Sequence, residues 1–125
     1  MPSQRLLLGG FFDIVIPILH LYKMKNNLTI WRKLCLSFLE DHLQNGGDLI
    51  DLGAGDSKFH YLYKTCKSYT SVDWKQGRES QLSLIADITR PIPLKPEAYD
   101  IVLFENVLEH IYKPSFVLQE ARRLL

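Results

Sequence analysis

Two glycines and a preceding aspartate form the segment of this 125-residue sequence with the clearest chemical character. Gly53 and Gly55 follow a short apolar run directly. Glycine allows positive φ angles and lets a ligand approach the backbone closely, because it has no side chain. Asp51, just before them, favours a cationic group over a phosphate at the same place. The segment therefore predicts a nucleotide-type turn that binds a positively charged end of its ligand.

Acidic residues also follow the later apolar runs of the sequence. Asp73 lies about 20 residues after Gly53, a spacing at which a carboxylate can accept hydrogen bonds from ribose hydroxyls. Trp74, next to it, can cover one face of a purine. Asp87 and Glu105 close the next two runs. Together these residues predict a site for a nucleoside that carries a cationic centre.

Strands that alternate with helices are predicted to position these acids. The predicted strands are Leu49–Leu52, Tyr69–Asp73, Leu82–Ala86 and Tyr99–Phe104, the last buried on both faces because it does not alternate polar and apolar residues. The predicted helices are one from about Thr29 to Leu43 that Asn45-Gly46-Gly47 ends, one from Ser57 to Cys66, and one over Phe116–Leu125 with Pro114 in its first turn. This alternation is typical of a doubly wound α/β fold with a mostly parallel sheet. In such sheets the ligand lies beyond the carboxyl ends of the strands, where the acids stand.

The N-terminal segment differs in character from the rest of the chain. Leu6–Tyr22 is apolar, but Asp13 and Pro17 interrupt it, which argues against a membrane span or a signal peptide. We predict that residues 1–28 form a helical extension that packs on the domain or shapes a substrate pocket, with membrane-surface contact as the alternative. We expect residues 29–125 to form the ligand-binding domain, in an incomplete form.

The bulk composition narrows the functional classes. A net charge of +1, from 15 basic and 14 acidic residues, gives no electrostatic footprint for nucleic acid. Cys35 and Cys66 belong to no metal-ligand motif and fit a reducing cytoplasm. The four histidines are not spaced as a helical metal site requires. We therefore expect a cytoplasmic protein without a bound metal.

Four segments in order resemble the motifs of class I S-adenosylmethionine-dependent methyltransferases, in their broad small-molecule, type 11-like branch. The segments are LIDLGAGDSKF, SVDW, IADI and YDIVLFENVLEHI, and the resemblance runs from about Leu49 to the end of the chain. It implies a Rossmann-like methyltransferase fold. One departure is Ser57, which stands where many members have a third glycine and which can cap the following helix instead.

The resemblance also implies a role for each residue of the site. Gly53, Ala54 and Gly55 would pass the methionine part of S-adenosylmethionine, Asp51 would stand near its amino group, Asp73 would hold the ribose, Asp87 and the Ile88 backbone would bind adenine, and Glu105 and Asn106 would flank the methionine part or the substrate. The implied reaction is direct displacement of the methyl group by a small-molecule acceptor, which needs no obligatory base. His110 is a candidate general base, with a structural role as the alternative, and Asn106 is a second candidate for catalysis.

Two other functions compete with methyl transfer. An NAD-dependent oxidoreductase would also use the glycine turn and Asp73, but it would need a glycine in place of Lys58, and Asp51 would repel a pyrophosphate. The other is an incomplete or non-catalytic domain. The resembled fold has seven strands, whereas four are predicted, which leaves Tyr99–Phe104 at a sheet edge. We therefore expect a fragment of a longer enzyme, or a partner or second copy that covers this edge.

Overall fold

The described part of the chain forms one five-stranded sheet with helices on both faces. A computed structural model describes residues 5–9, 30–43, 46–56, 66–78 and 81–125. The elements are β1 (Arg5–Gly9), α1 (Ile30–Leu43), β2 (Asp48–Leu52), β3 (Ser68–Asp73), β4 (Leu84–Ile85), β5 (Ile101–Glu105), a 3₁₀ helix (Leu108–His110) and α2 (Pro114–Leu124). The strand order is β1-β5-β2-β3-β4, and every pair is parallel.

Apolar residues of the central strands alternate between two cores, one on each face of the sheet. Leu49 of β2 and Leu103 of β5 pack with Leu39 and Leu43 of α1. The intervening residues Ile50, Leu52, Val102 and Phe104 pack on the other face with Val117, Ala121 and Leu124 of α2. This period of two follows from the pleat of a strand. The predicted doubly wound α/β class is confirmed, as is the burial of β5 on both faces.

The helix boundaries follow the sequence signals that predicted them. The Gly46 N–H donates to the Leu43 carbonyl at 3.0 Å, and Gly46 and Gly47 have φ angles of 68° and 122°, so these glycines end α1 as predicted. Pro114 occupies the first turn of α2. The predicted helix after the glycine turn lies outside the described residues, apart from Cys66.

The N-terminal segment departs from the prediction. Arg5–Gly9 is a strand that pairs with β5, so the expected helical extension over residues 1–28 is wrong for these five residues. The expectation that β5 lies at the sheet edge is wrong as well, because β5 lies between β1 and β2. A short apolar run fits either a strand or a helix, and here the unpaired backbone groups of β5 select the strand. Residues 10–29 lie outside the described parts of the chain.

Two predicted strands begin earlier in sequence than the observed ones. β4 contains only Leu84 and Ile85, because the Ser83 N–H donates to the side chain of Ser71 instead of joining the sheet. β5 starts at Ile101, because the Tyr99 N–H donates to the Leu124 carbonyl at the end of α2.

Within the described ranges, no helix is long and apolar enough to cross a membrane.

Candidate functional site

The carboxyl ends of β2 and β5 meet at the point where the strand order changes direction. β2 contacts β3 on one side and β5 on the other, and such a switch point is where open α/β sheets bind ligands. Two cavities open there, of about 360 Å³ and about 350 Å³. The first is lined by Asp51, Gly53, Ala54, Gly55, Asp56, Glu105 and Asn106, and the second by Gly53, Asp73, Trp74, Asp87, Ile88, Thr89, Asn106, Val107, His110 and Ile111. Gly53 and Asn106 line both, so the cavities adjoin.

Gly53 is required at its position for two separate reasons. Its φ angle is 82°, which side chains rarely tolerate. A Cβ atom there would also lie 2.5 Å from Cγ2 of Val107, in the loop after β5. The N–H groups of Gly53 and Ala54 both donate to the Val72 carbonyl, at 2.8 and 3.0 Å. The turn is therefore fixed to β3 on one side and packed against the exit of β5 on the other.

Asp73 is held in place at the second cavity. Its Oδ2 accepts a hydrogen bond from the Gly55 N–H at 2.8 Å, and its Oδ1 accepts one from the Trp74 N–H at 2.7 Å. Each oxygen of a carboxylate has a second lone pair, so both can still accept a hydrogen bond from a ligand. Gly55 has a φ angle of 56°, and apart from its chain neighbours no described atom lies within 4 Å of the place its Cβ would occupy. The described residues therefore leave this side of the turn open.

The loop after β3 is attached to the glycine turn. Asp56 Oδ1 accepts a hydrogen bond from the Arg78 N–H at 2.7 Å. A Cβ atom at Gly77 would overlap the Asp56 carboxylate, so glycine is needed for this close approach. The sequence shows both residues, but no spacing rule pairs them, because the contact crosses between two loops.

Asp51 is a buried aspartate among the residues that line the first cavity. Its exposed fraction is only 2%, and Tyr69 Oη donates to its Oδ2 at 2.6 Å. Burial raises the pKa of Asp51 to about 7, against the lowering effect of the Tyr69 hydrogen bond, and the negative charges of Glu105 and Asp73 raise it further. Sequence reasoning did not single out Tyr69, because only the β2–β3 register, which pairs Leu49 with Tyr69, brings it to the same face as Asp51.

The charged side chains around both cavities are acidic. Asp51, Asp56 and Glu105 line the first cavity, and Asp73 and Asp87 line the second. No lysine or arginine is among the described residues that line either one. Such surroundings attract a cation and repel a phosphate.

Asp87 is held as a charged group at the second cavity. Its Oδ1 accepts hydrogen bonds from the Thr89 hydroxyl at 2.6 Å and the Thr89 N–H at 2.9 Å. These bonds, the hydroxyl above all, lower the pKa of Asp87, and the positive charge of Arg90 adds to the effect. The neighbouring Ile88 is buried in the core on the α2 face, which fixes the backbone beside Asp87.

The remaining predicted residues also line the cavities. Trp74 is 73% exposed beside the second cavity, and His110 lies exposed at the end of the 3₁₀ helix on the same cavity. Asn106 has a φ angle of 52°, a conformation that asparagine tolerates better than most residues, and its Nδ2 donates to Glu105 Oε1 at 2.7 Å. The structure thus brings every predicted site residue to one of the two cavities. Ser57 and Lys58 lie outside the described residues.

A family model described as a methyltransferase domain matches residues 50–125, more than half of the chain. The chain belongs to the class I S-adenosylmethionine-dependent methyltransferases, in their type 11 branch. The described residues that line the two cavities of this methyltransferase domain fall within the match. No curated protein and no solved structure matches the chain.

Proposed function

We propose that this methyltransferase domain binds S-adenosylmethionine across the two adjoining cavities and transfers its methyl group to a small-molecule acceptor. The observation that supports this most directly is the acidic lining of the cavities around the Gly53 turn. S-adenosylmethionine combines a nucleoside with an amino acid end that carries a sulfonium and an ammonium. An acidic site at the switch point of a parallel sheet complements both parts.

The first cavity suits the amino acid end of the cofactor. Gly53 and Gly55 present backbone without a side chain of their own, and the described residues leave the Gly55 side of the turn open. Asp51 and Glu105 supply negative charge at the same cavity. In our proposal the cofactor's ammonium lies beside Asp51, and Glu105 and Asn106 flank the methionine part.

The second cavity suits the nucleoside. Asp73 would accept hydrogen bonds from the ribose hydroxyls through the lone pairs that Gly55 and Trp74 leave available. Asp87 and the Ile88 backbone would bind the edge of adenine, and Trp74 would cover one face of the base.

The residues of the chain contribute binding and alignment to the reaction. The sulfonium of S-adenosylmethionine supplies an activated methyl carbon and a good leaving group. Positioning an acceptor in line with that carbon can lower the barrier by roughly 7–11 kcal/mol when the geometry is right. His110, exposed beside the second cavity, is our candidate for a general base toward an acceptor hydroxyl, and Asn106 lines both cavities.

NAD is a poorer match to the same site. Its pyrophosphate would need N–H donors and positive charge near the glycine turn. Asp51, Asp56 and Glu105 stand there instead. We therefore expect selective binding of the cationic cofactor.

Calorimetric titration of the purified protein with S-adenosylmethionine and, separately, with NAD tests the proposal. We expect binding of S-adenosylmethionine alone. Asp73→Asn should weaken it by about 10–100-fold, because charge-assisted hydrogen bonds to the ribose are lost. Asp41→Asn, at an exposed aspartate of α1, is the matched control and should leave the affinity unchanged. Tight binding of NAD without binding of S-adenosylmethionine would contradict the proposal.

A further inference from the structure

Asp51 combines two properties that rarely occur together. It is almost completely buried, yet it is one of the residues that line the first cavity. Its described hydrogen-bond donor is the hydroxyl of Tyr69, a neutral group, at 2.6 Å. Tyr69 packs partly buried against the core on the α1 face, which holds the hydroxyl in place.

The described groups around Asp51 do not neutralise its charge. Glu105 from β5 and Asp73 from the end of β3 act on it as further negative charges. The α1 residues Leu39 and Leu43 in the core on this face are apolar. None of the described residues that line the cavity is a lysine or an arginine. An ionised Asp51 therefore has a hydrogen bond but no described cation, and a buried carboxylate in this situation tends to hold a proton.

We infer that cofactor binding is coupled to release of a proton from Asp51, and that Tyr69 is the positioning residue that lowers the pH at which this occurs. The inference rests on the proposed function, because the cationic end of S-adenosylmethionine is the group that would replace the proton. In the complex the Asp51 carboxylate is ionised, it faces the cofactor's ammonium, and its proton passes to the solvent. The Tyr69 hydroxyl donates to the ionised carboxylate and keeps it aimed at the cavity.

This coupling has a defined sign. Without ligand, burial raises the pKa of Asp51 to about 7, so the carboxyl is largely protonated below that pH. A bound cation favours the ionised form, so binding releases a proton at pH values below 7. Affinity should therefore rise with pH, by up to about tenfold for each pH unit, and level off above about pH 7.

Tyr69→Phe isolates the contribution of the hydroxyl. The ring remains in the core, but the ionised carboxylate loses its donor, so its pKa should rise further. Tyr99→Phe is a matched control, because Tyr99 is also a partly buried tyrosine whose hydroxyl bonds to a neighbouring strand, at 3.2 Å from Thr70 Oγ1. Tyr99 packs against the core on the opposite face of the sheet, away from Asp51.

The experiment is calorimetric titration with S-adenosylmethionine between pH 5.5 and pH 8, in buffers of different ionisation enthalpy. For the wild type we expect release of close to one proton per bound cofactor at pH 6. The Kd should fall about fivefold from pH 6 to pH 7 and about tenfold from pH 6 to the plateau above pH 7. In Tyr69→Phe the midpoint of the affinity profile should move about one pH unit higher. Tyr99→Phe should match the wild type. Titration of the cofactor's own amino group cancels when the variants are compared.

The outcomes separate this inference from the proposed function. Absence of S-adenosylmethionine binding at every pH overturns the proposed function and this inference with it. Binding with a constant Kd and no proton release overturns the inference alone. A folded Tyr69→Phe protein with the wild-type profile overturns the role of Tyr69. If Tyr69→Phe does not fold, Asp51→Asn provides the test, because this variant has no carboxyl group at position 51. It should bind the cofactor without proton release below pH 7, and a release equal to that of the wild type overturns the inference.

Discussion

Asp51 and Glu120 are both carboxylates that the fold removes from solvent, and they behave in opposite ways. Asp51 is 2% exposed and Glu120 is 8% exposed. Glu120 accepts hydrogen bonds from Arg123 Nε at 2.9 Å, from Arg123 Nη2 at 2.8 Å and from the Ile92 N–H at 2.9 Å. The Arg123 guanidinium, above all, lowers the pKa of Glu120, whereas burial raises that of Asp51.

The difference separates the framework of this fold from its candidate site. Arg123 also donates to the carbonyls of Leu94 and Ile92, so the Glu120 pair attaches the proline-rich connection before β5 to α2. Its charge is neutralised within the chain and it stabilises the fold. Asp51 has no described cation beside it, so a ligand can supply one. In this fold the unneutralised carboxylate is the better indicator of a binding site.

Removing Arg123 should have the largest effect on stability among these predictions. It leaves Glu120, like Asp51, as a buried carboxylate without a neighbouring cation. Arg123→Ala leaves a buried carboxylate without its cation and removes donors from two carbonyls. We expect the free energy of unfolding to fall by about 3 kcal/mol. Urea denaturation measures the loss. Arg122→Ala, at the exposed neighbour on α2, is the control and should change the free energy of unfolding little. Equal losses in the two variants would show that the ion pair of Arg123 with Glu120 does not stabilise the fold.

Replacing Asp51 by asparagine should change stability in the opposite direction, by raising it. The folded-state pKa of Asp51, about 7, lies above its ordinary value of about 4, so the folded chain holds the proton more tightly than the unfolded chain. Ionisation of Asp51 therefore destabilises the fold progressively between about pH 4 and pH 7. We expect Asp51→Asn to be more stable than the wild type by about 2 kcal/mol at pH 8 and equally stable near pH 4.

Urea denaturation at the two pH values checks this, with Asp41→Asn as a control at an exposed aspartate. The same Asp51→Asn protein should bind S-adenosylmethionine more weakly at pH 8. If the wild type is more stable than Asp51→Asn at pH 8, the Asp51 carboxylate stabilises the fold as that of Glu120 does, and this prediction is wrong.

The smallest expected effect comes from removing the charge of Glu120 while keeping its shape. Its folded-state pKa is lowered, so its contribution to stability is present above the ordinary glutamate pKa and is lost as the pH falls through the folded value. We expect Glu120→Gln to be about 1 kcal/mol less stable at pH 7, with the difference disappearing in acid. Thermal melts across this range measure it. Glu40→Gln on α1 is the exposed control, and a difference that persists below pH 3 would argue against the charge as its cause.

Local sequence signals predicted most of the site. Gly53 and Gly55 were recognised from their spacing after an apolar run, and both adopt the positive φ angles that this implies. Asp73 and Asp87 are recognisable because they stand at the carboxyl ends of two predicted strands, which are β3 and β4 in the structure. Because ligands of parallel sheets lie at the carboxyl ends of the strands, order along the chain was enough to bring these residues together.

Contacts between distant segments could not be predicted in this way. The bond of Tyr69 to Asp51 depends on the register of β2 and β3, and the contact of Gly77 with Asp56 joins two loops. The pairing of Arg5–Gly9 with β5 is also non-local, and the sequence favoured a helix there. The sequence of a short apolar run does not specify which segment it pairs with. Whether the run forms a strand or a helix depends on whether a neighbouring strand has unpaired backbone N–H and C=O groups.

The sequence by itself determined the α/β class, the helix ends at Gly46 and Pro114, and most of the residues that line the site. These depend on backbone preferences and on the hydrophobic period, which act over a few residues. The tertiary structure alone decided the position of β5 inside the sheet and the neighbours of Asp51. Burial and the electrostatic field are properties of the assembled fold, and they distinguish Asp51 from Glu120 although the two groups are chemically alike.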